Sequence, residues 1–201
     1  MALGHLAIIQ RTGQFPPYFA PGDGWKYSST GYNLLGAIIE EVTGQSYDEF
    51  IRAEILEPLG MTNTGGDNEM IIERLAKGYS LRDDTVVNTS YFEIDNFRAS
   101  GNLYSTVEDL FKWGQALYEE RLLSRDALEL MFTPHVRVNE ARHYGYGWSI
   151  YERARGHGGS LPGCRCRFMQ YPKKKMTVII LGNHDFVLES RMMADLEAML
   201  K

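Results

Sequence analysis

Arg155-Gly156-His157-Gly158-Gly159-Ser160-Leu161-Pro162-Gly163 stands at the entrance to a run of strand-like sequence. Glycine inside a strand weakens it and marks a bulge or a close approach to the backbone, by a ligand or by another strand. An imidazole heads the run and a hydroxyl follows the glycine pair. Leu161-Pro162-Gly163 can turn the chain back, because Pro sets φ and Gly accepts φ > 0. Alone, the stretch reads either as a Gly-rich hairpin with a solvent-facing histidine or as a strand along which a ligand lies.

The flanking sequence favours a sheet. Residues 164–171 form a second strand pattern, Pro172-Lys173-Lys174-Lys175 a turn, and the uniformly apolar residues 176–181 a strand covered on both faces. Upstream, Tyr144, Tyr146, Trp148 and Ile150 alternate with Gly145, Gly147, Ser149 and Tyr151, as in one half-buried strand. A closing helix carries Met192, Met193, Leu196, Met199 and Leu200 on one stripe.

The preceding part is mainly helical. Leu34, Leu35, Ile38, Ile39 and Val42 share a helical face that Gly44 ends. Ser46 caps a second helix with Tyr47, Phe50, Ile51 and Ile55 inward, stopped by Pro58-Leu59-Gly60. Residues 61–104 read as loop, with a short helix near residues 70–75. Ser105-Thr106-Val107-Glu108 is a capping box, followed by Val107, Leu110, Phe111, Gly114, Leu117 and Tyr118 on one face. A shorter helix starts near Ser124 and ends before Pro134. The expected fold class is α+β. It comprises an irregular segment (1–24), a mainly helical region (25–134), and an antiparallel sheet with a closing helix (135–201).

The chain has 201 residues, 44% apolar and 23% charged, which suits a globular domain that needs no staples. The net charge is −5 and Lys173-Lys174-Lys175 is the only run of like charge, so nucleic acid is not an expected partner. Cys164 and Cys166 form a C-x-C, too close for a relaxed disulfide in most geometries and too little for a zinc site, so both are read as reduced. No apolar run reaches membrane-spanning length and no signal peptide is visible, which together with reduced thiols inclines toward the cytoplasm. G-x-S-x-G, H-E-x-x-H, the P-loop and the dinucleotide fingerprint are all missing. No metal or cofactor is expected.

Two segments with chemistry remain, Tyr27-Ser28-Ser29 before a helix and His157-Gly158-Gly159-Ser160 on a strand. Residues 19–36, including Trp25-Lys26-Tyr27-Ser28-Ser29-Thr30-Gly31-Tyr32-Asn33, resemble the Y-S-N segment of the serine β-lactamase-related hydrolases. That family includes class C β-lactamases, DD-peptidases of the penicillin-binding type and esterases. Glu57-Pro58-Leu59-Gly60-Met61-Thr62-Asn63-Thr64 matches its PLGM-NT turn, and residues 99–110 resemble its GGLYST-DL segment. Residues 144–148 resemble its YGYGW, and residues 157–163 its HGGSLPG. Each motif alone is weak; five in the right order are specific.

The resemblance implies a β-lactamase/transpeptidase-like fragment and acyl transfer to serine. Tyr27 would relay the proton. Ser29, standing where Asn is usual, would contact the substrate. His157 would help hold the substrate's polar end, Gly158 and Gly159 would let it lie against the strand, and the Ser160 N–H would be an oxyanion donor. The family nucleophile sits in S-x-x-K. The seven lysines are preceded at that spacing by Asp23, Arg74, Asp109, Gln170, Tyr171, Pro172 and Ala198, so the motif does not occur. The expectation is a truncated hydrolase, inactive alone, with a small-molecule or peptide substrate. The apolar strand at residues 176–181 would lack its family neighbour and self-associate or pair with the missing N-terminal part. The second hypothesis is a non-catalytic module that keeps the pocket and binds a peptide or a subunit. An in-frame S-x-x-K upstream of Met1 favours the first, and a true start at Met1 the second.

Overall fold

The computed structural model describes residues 5–67, 71–186 and 189–199. In chain order the helices and strands are α1 (His5–Thr12), α2 (Ser29–Thr43), α3 (Tyr47–Ile51), α4 (Glu57–Leu59), β1 (Gly65–Gly66), β2 (Tyr79–Arg82), β3 (Thr85–Asn88), β4 (Leu103–Tyr104), α5 (Val107–Tyr118), α6 (Arg125–Phe132), β5 (Val136–Arg137), β6 (His143–Tyr144), β7 (Ser149–Ile150), β8 (Arg155–Leu161), β9 (Cys164–Tyr171), β10 (Met176–Gly182) and α7 (Glu189–Met199). They form two compact units, each drawn from two stretches: residues 1–72 with 92–122, and residues 73–91 with 123–201.

The first unit is helical. The segment expected to be irregular contains α1, because residues 5–12 hold no Gly or Pro and the helix packs on α2. Eight residues are too few to hold helix alone, so that contact decides the matter. Ser28 caps α2 by accepting from the Gly31 N–H, and Gly44 ends it at φ 70°. Ser46 and Glu49 form a capping box on α3. The helix then widens into a π turn (Arg52–Leu56) before α4, which ends at Gly60. Leu56, Leu59, Met61 and Ala116 form the core, with Ile51, Ile55, Trp113 and Leu122 against it.

Three sequence expectations change here. The cap of α5 is Thr106, whose hydroxyl accepts from the Asp109 N–H; the Ser105 hydroxyl instead meets Thr64 Oγ1 at 2.7 Å. The α2 stripe is outward: Leu34, Leu35, Ile38 and Val42 are all exposed, Val42 to 78%, while Asn33 and Gly36 are buried. On α5, Val107 and Phe111 are likewise exposed, and burial falls on Asp109, Gly114, Ala116 and Leu117.

The second unit holds an antiparallel six-stranded meander, in the order β10-β9-β8-β7-β6-β5. The expected strand over residues 144–151 is instead two short strands folded on each other, His143 opposite Ile150 and Tyr144 opposite Ser149. The glycines make the turn. Gly147 has φ 80°, and a Cβ on Gly145 would stand 2.5 Å from the Met131 carbonyl, which accepts the Tyr146 N–H. Residues 71–75 are not helical; Arg74 has φ 63°, and Met70 lies outside the described residues. The β2–β3 hairpin follows in what read as loop, turning through Asp83 and Asp84 at φ 46° and 57°.

On one face of the sheet, Met193 of α7 packs with Ala154, Met169 and Tyr171, beside Met176, Val178 and Ile180. β10 is therefore half-buried rather than enclosed, with Leu181 exposed. Of the methionine–leucine stripe on α7 only Met193 is buried; Met192, Leu196 and Met199 are exposed and Leu200 is outside the described residues. On the other face Phe132, Trp148 and Phe168 stack edge to face at 5.1 and 5.9 Å, and Arg155 lies over the Phe132 ring.

Candidate active site

Tyr27 and Ser29 are placed by the first unit. Tyr27 precedes α2, 44% exposed, with its ring 5.7 Å from that of Tyr32. Burial, and secondarily Tyr32, raises its phenol above the ordinary value, so it is a neutral hydroxyl at pH 7. Such a group can pass a proton on rather than hold a charge. Ser28 supplies the helix cap, which leaves Ser29 as the first helical residue with its hydroxyl outside that role. The buried Asn33 fixes the start of α2: its Oδ1 accepts from the Ser100 N–H at 3.1 Å.

His157, Gly158, Gly159 and Ser160 lie together on β8 in the second unit. The Pro162-Gly163 turn sets the register with β9, placing Ser160 opposite Arg165, Gly158 opposite Arg167 and His157 opposite Phe168. Cross-strand partners share a face, so Gly158, Ser160, Arg165 and Arg167 are on one side and His157 is on the other. The missing side chain at Gly158 is what admits Arg167, whose Nη1 would stand 2.8 Å from a Cβ there. Arg165 donates to the Ser160 hydroxyl and, at 3.1 Å, to the Asp185 carbonyl. β7 pairs with β8 only at Arg155 and Gly156.

The His157 ring is half-buried. Its Nε2 is 2.9 Å from the Tyr144 hydroxyl and its Nδ1 is 2.8 Å from the Gly158 carbonyl. Burial holds the imidazole below its ordinary range; the Gly158 carbonyl works against this, and the charges of Arg167 and Arg142 add to it. Tyr144, read from sequence as packing, thus touches the site, as do Arg165 and Arg167. The signal for the arginines was Arg-x-Arg alternating with Cys-x-Cys across a Pro-Gly turn, which fixes their face once the register is known. Partial desolvation raises the Cys164 thiol above its ordinary value, so it is a poor thiolate. Among the described residues no group of His, Cys, Asp and Glu has metal-ligand geometry, and no helix is long and apolar enough to cross a membrane.

Three comparisons bear on this arrangement. A family model described as Beta-lactamase matches residues 4–200. Penicillin-binding protein 4* of Bacillus subtilis is 36% identical over 84% of this chain, which spans 42% of that protein's length. The crystal structure of a penicillin-binding protein from Bacillus halodurans superposes with a TM-score of 0.87 at 25% identity, over 97% of this chain and 62% of that one. A D-amino acid amidase from Ochrobactrum anthropi in complex with D-phenylalanine gives a TM-score of 0.80 at 25% identity, over 92% and 58%.

Proposed function

The chain belongs to the Beta-lactamase family, and on that premise we propose that it carries the proton relay and oxyanion wall of a serine acyl-transfer hydrolase. The substrate class is a lactam, a D-amino peptide or an ester. Relatives named for penicillin binding and for D-amino acid amidase activity support that class. The observation that carries the reading is β8 itself. Beyond Gly156 it runs without β7 beside it, it bears the Gly158-Gly159 pair, and it carries an exposed Ser160 one residue before its end.

In this reading a serine hydroxyl attacks the acyl carbonyl and gives up its proton. Tyr27 relays that proton to the leaving group, and the Ser160 N–H donates to the oxyanion. Ser29 and residues 157–159 form the substrate-binding stretch. No S-x-x-K occurs among the 201 residues, so the attacking serine comes from polypeptide outside this sequence, and the chain alone is inactive. Fluorescent penicillin is therefore expected to leave the 201-residue chain unlabelled. Joined to an S-x-x-K-bearing segment that precedes the matched region in a longer relative, the chain should be acylated. Tyr27→Phe should slow that acylation by about 100- to 10,000-fold. Stoichiometric labelling of the chain alone, or full-rate acylation of the Tyr27→Phe protein, sinks the proposal.

A further inference from the structure

We propose that Tyr144 and His157 act as a positioning pair: the phenol donates to His157 Nε2, and the neutral imidazole donates through Nδ1–H to the Gly158 carbonyl. The two contacts measure 2.9 and 2.8 Å. The inference rests on the proposed function at one point, the assignment of the Ser160 N–H as oxyanion donor.

The protonation follows from donor and acceptor chemistry. A carbonyl oxygen only accepts, so Nδ1 carries hydrogen. A neutral ring then presents a lone pair at Nε2, and the buried Tyr144 hydroxyl is the donor that meets it. A doubly protonated ring would place a cation in a desolvated position under the repulsion of the Arg167 and Arg142 charges. On its own face of the sheet the ring meets Tyr144 of β6, with ring centroids 6.1 Å apart, and Phe168, its cross-strand partner.

The consequence falls on the strand. Glycine is the most freely rotating residue, and Gly158-Gly159 puts two of them just before the donor. Alternate residues of a strand turn their peptide groups to the same edge, so the Gly158 carbonyl and the Ser160 N–H share one. Holding the first restrains the second, and an oxyanion donor works by being fixed before the charge develops. His157 therefore acts through Gly158. It brings no positive charge at pH 7, and the cations nearby are arginines.

The test uses the 201-residue chain with ¹⁵N-labelled histidine and reads the ring nitrogens by NMR. His157→Asn identifies the resonance among the five histidines. At pH 7 the expected spectrum has a protonated Nδ1 and a bare Nε2. Tyr144→Phe keeps the ring and removes one hydrogen bond to the neutral form. It should move the population toward the Nε2–H tautomer and raise the His157 titration midpoint by about 0.4–1 pH unit. An Nε2–H or fully protonated His157 at pH 7 overturns the inference. So does a folded Tyr144→Phe variant with unchanged tautomer and midpoint. If that variant fails to fold, by near-UV circular dichroism, the unsubstituted chain's tautomer decides. No step needs catalysis. A wrong tautomer leaves the acyl-transfer reading standing, and failed acylation of the joined protein leaves the tautomer standing.

Discussion

Asp109 is 1% exposed, and its carboxylate accepts from the Asn63 N–H at 2.8 Å, the Thr64 hydroxyl at 3.0 Å and the Lys112 ammonium at 2.7 Å. Lys112 also donates to the Gly60 carbonyl. One side chain thus ties the first turn of α5 to the residues after α4. Both Ser105-x-x-Glu108 and Thr106-x-x-Asp109 satisfy the cap pattern; the partners of Asp109 select the second, which local sequence could not foresee. Burial alone would raise this carboxyl, but the hydrogen bonds from Lys112, Asn63 and Thr64 outweigh it and hold the group below its ordinary 3.8. A depressed folded value means that its stabilisation is complete above about pH 4 and is lost as pH falls further. Urea midpoints should therefore drop as pH falls below about 4. Asp109→Ala should cost about 2 kcal/mol at pH 7 and flatten that acid slope. An unchanged slope in the variant would assign it to other carboxylates. At the same scale, Tyr27 and His157 stood out as candidates from their motifs, whereas Tyr144 did not, because its contact with His157 joins residues thirteen apart across a fold-back.

The elements that sequence periodicity located best were those ended by their own chemistry: α2 between Ser28 and Gly44, α3 at Ser46, α6 at Ser124, and the β8–β9 hairpin at Pro162-Gly163. Periodicity misled at residues 144–151, where alternating glycines mimic a strand yet supply a turn. The β2–β3 hairpin was missed because Asp83-Asp84 lacks the Asn-Gly signature that left-handed turn positions favour. Its two turn residues sit at φ 46° and 57°, a conformation that costs an ordinary side chain energy. Replacing them, Asp83→Asn with Asp84→Gly, should stabilise the chain by about 0.5–1 kcal/mol. Thermal unfolding reads this directly, and a lowered midpoint would mean that the aspartates hold the turn through their side chains.

At the scale of the molecule, the apolar surface left exposed is the main physical liability. β10 pairs with β9 over its whole length and, among the described residues, has no strand on its other edge. Residues 176–181 contain no charge, proline or glycine to blunt that edge, and Leu181 is 40% exposed. The apparent mass in size-exclusion chromatography should therefore rise with concentration, and Leu181→Lys should reduce the rise. A clean monomer at every concentration would count against edge pairing. Sequence alone determined the family, the α+β class, the capped ends of α2, α3 and α6 and the turn of the Gly-rich hairpin, because motifs, caps and turn chemistry act within a few residues. Only the tertiary structure decided which apolar stripes are covered, where α5 begins, that α1 forms, and that Tyr144 meets His157. Burial and hydrogen bonding between distant stretches depend on what folds against what, and a local pattern shows a face without showing its neighbour.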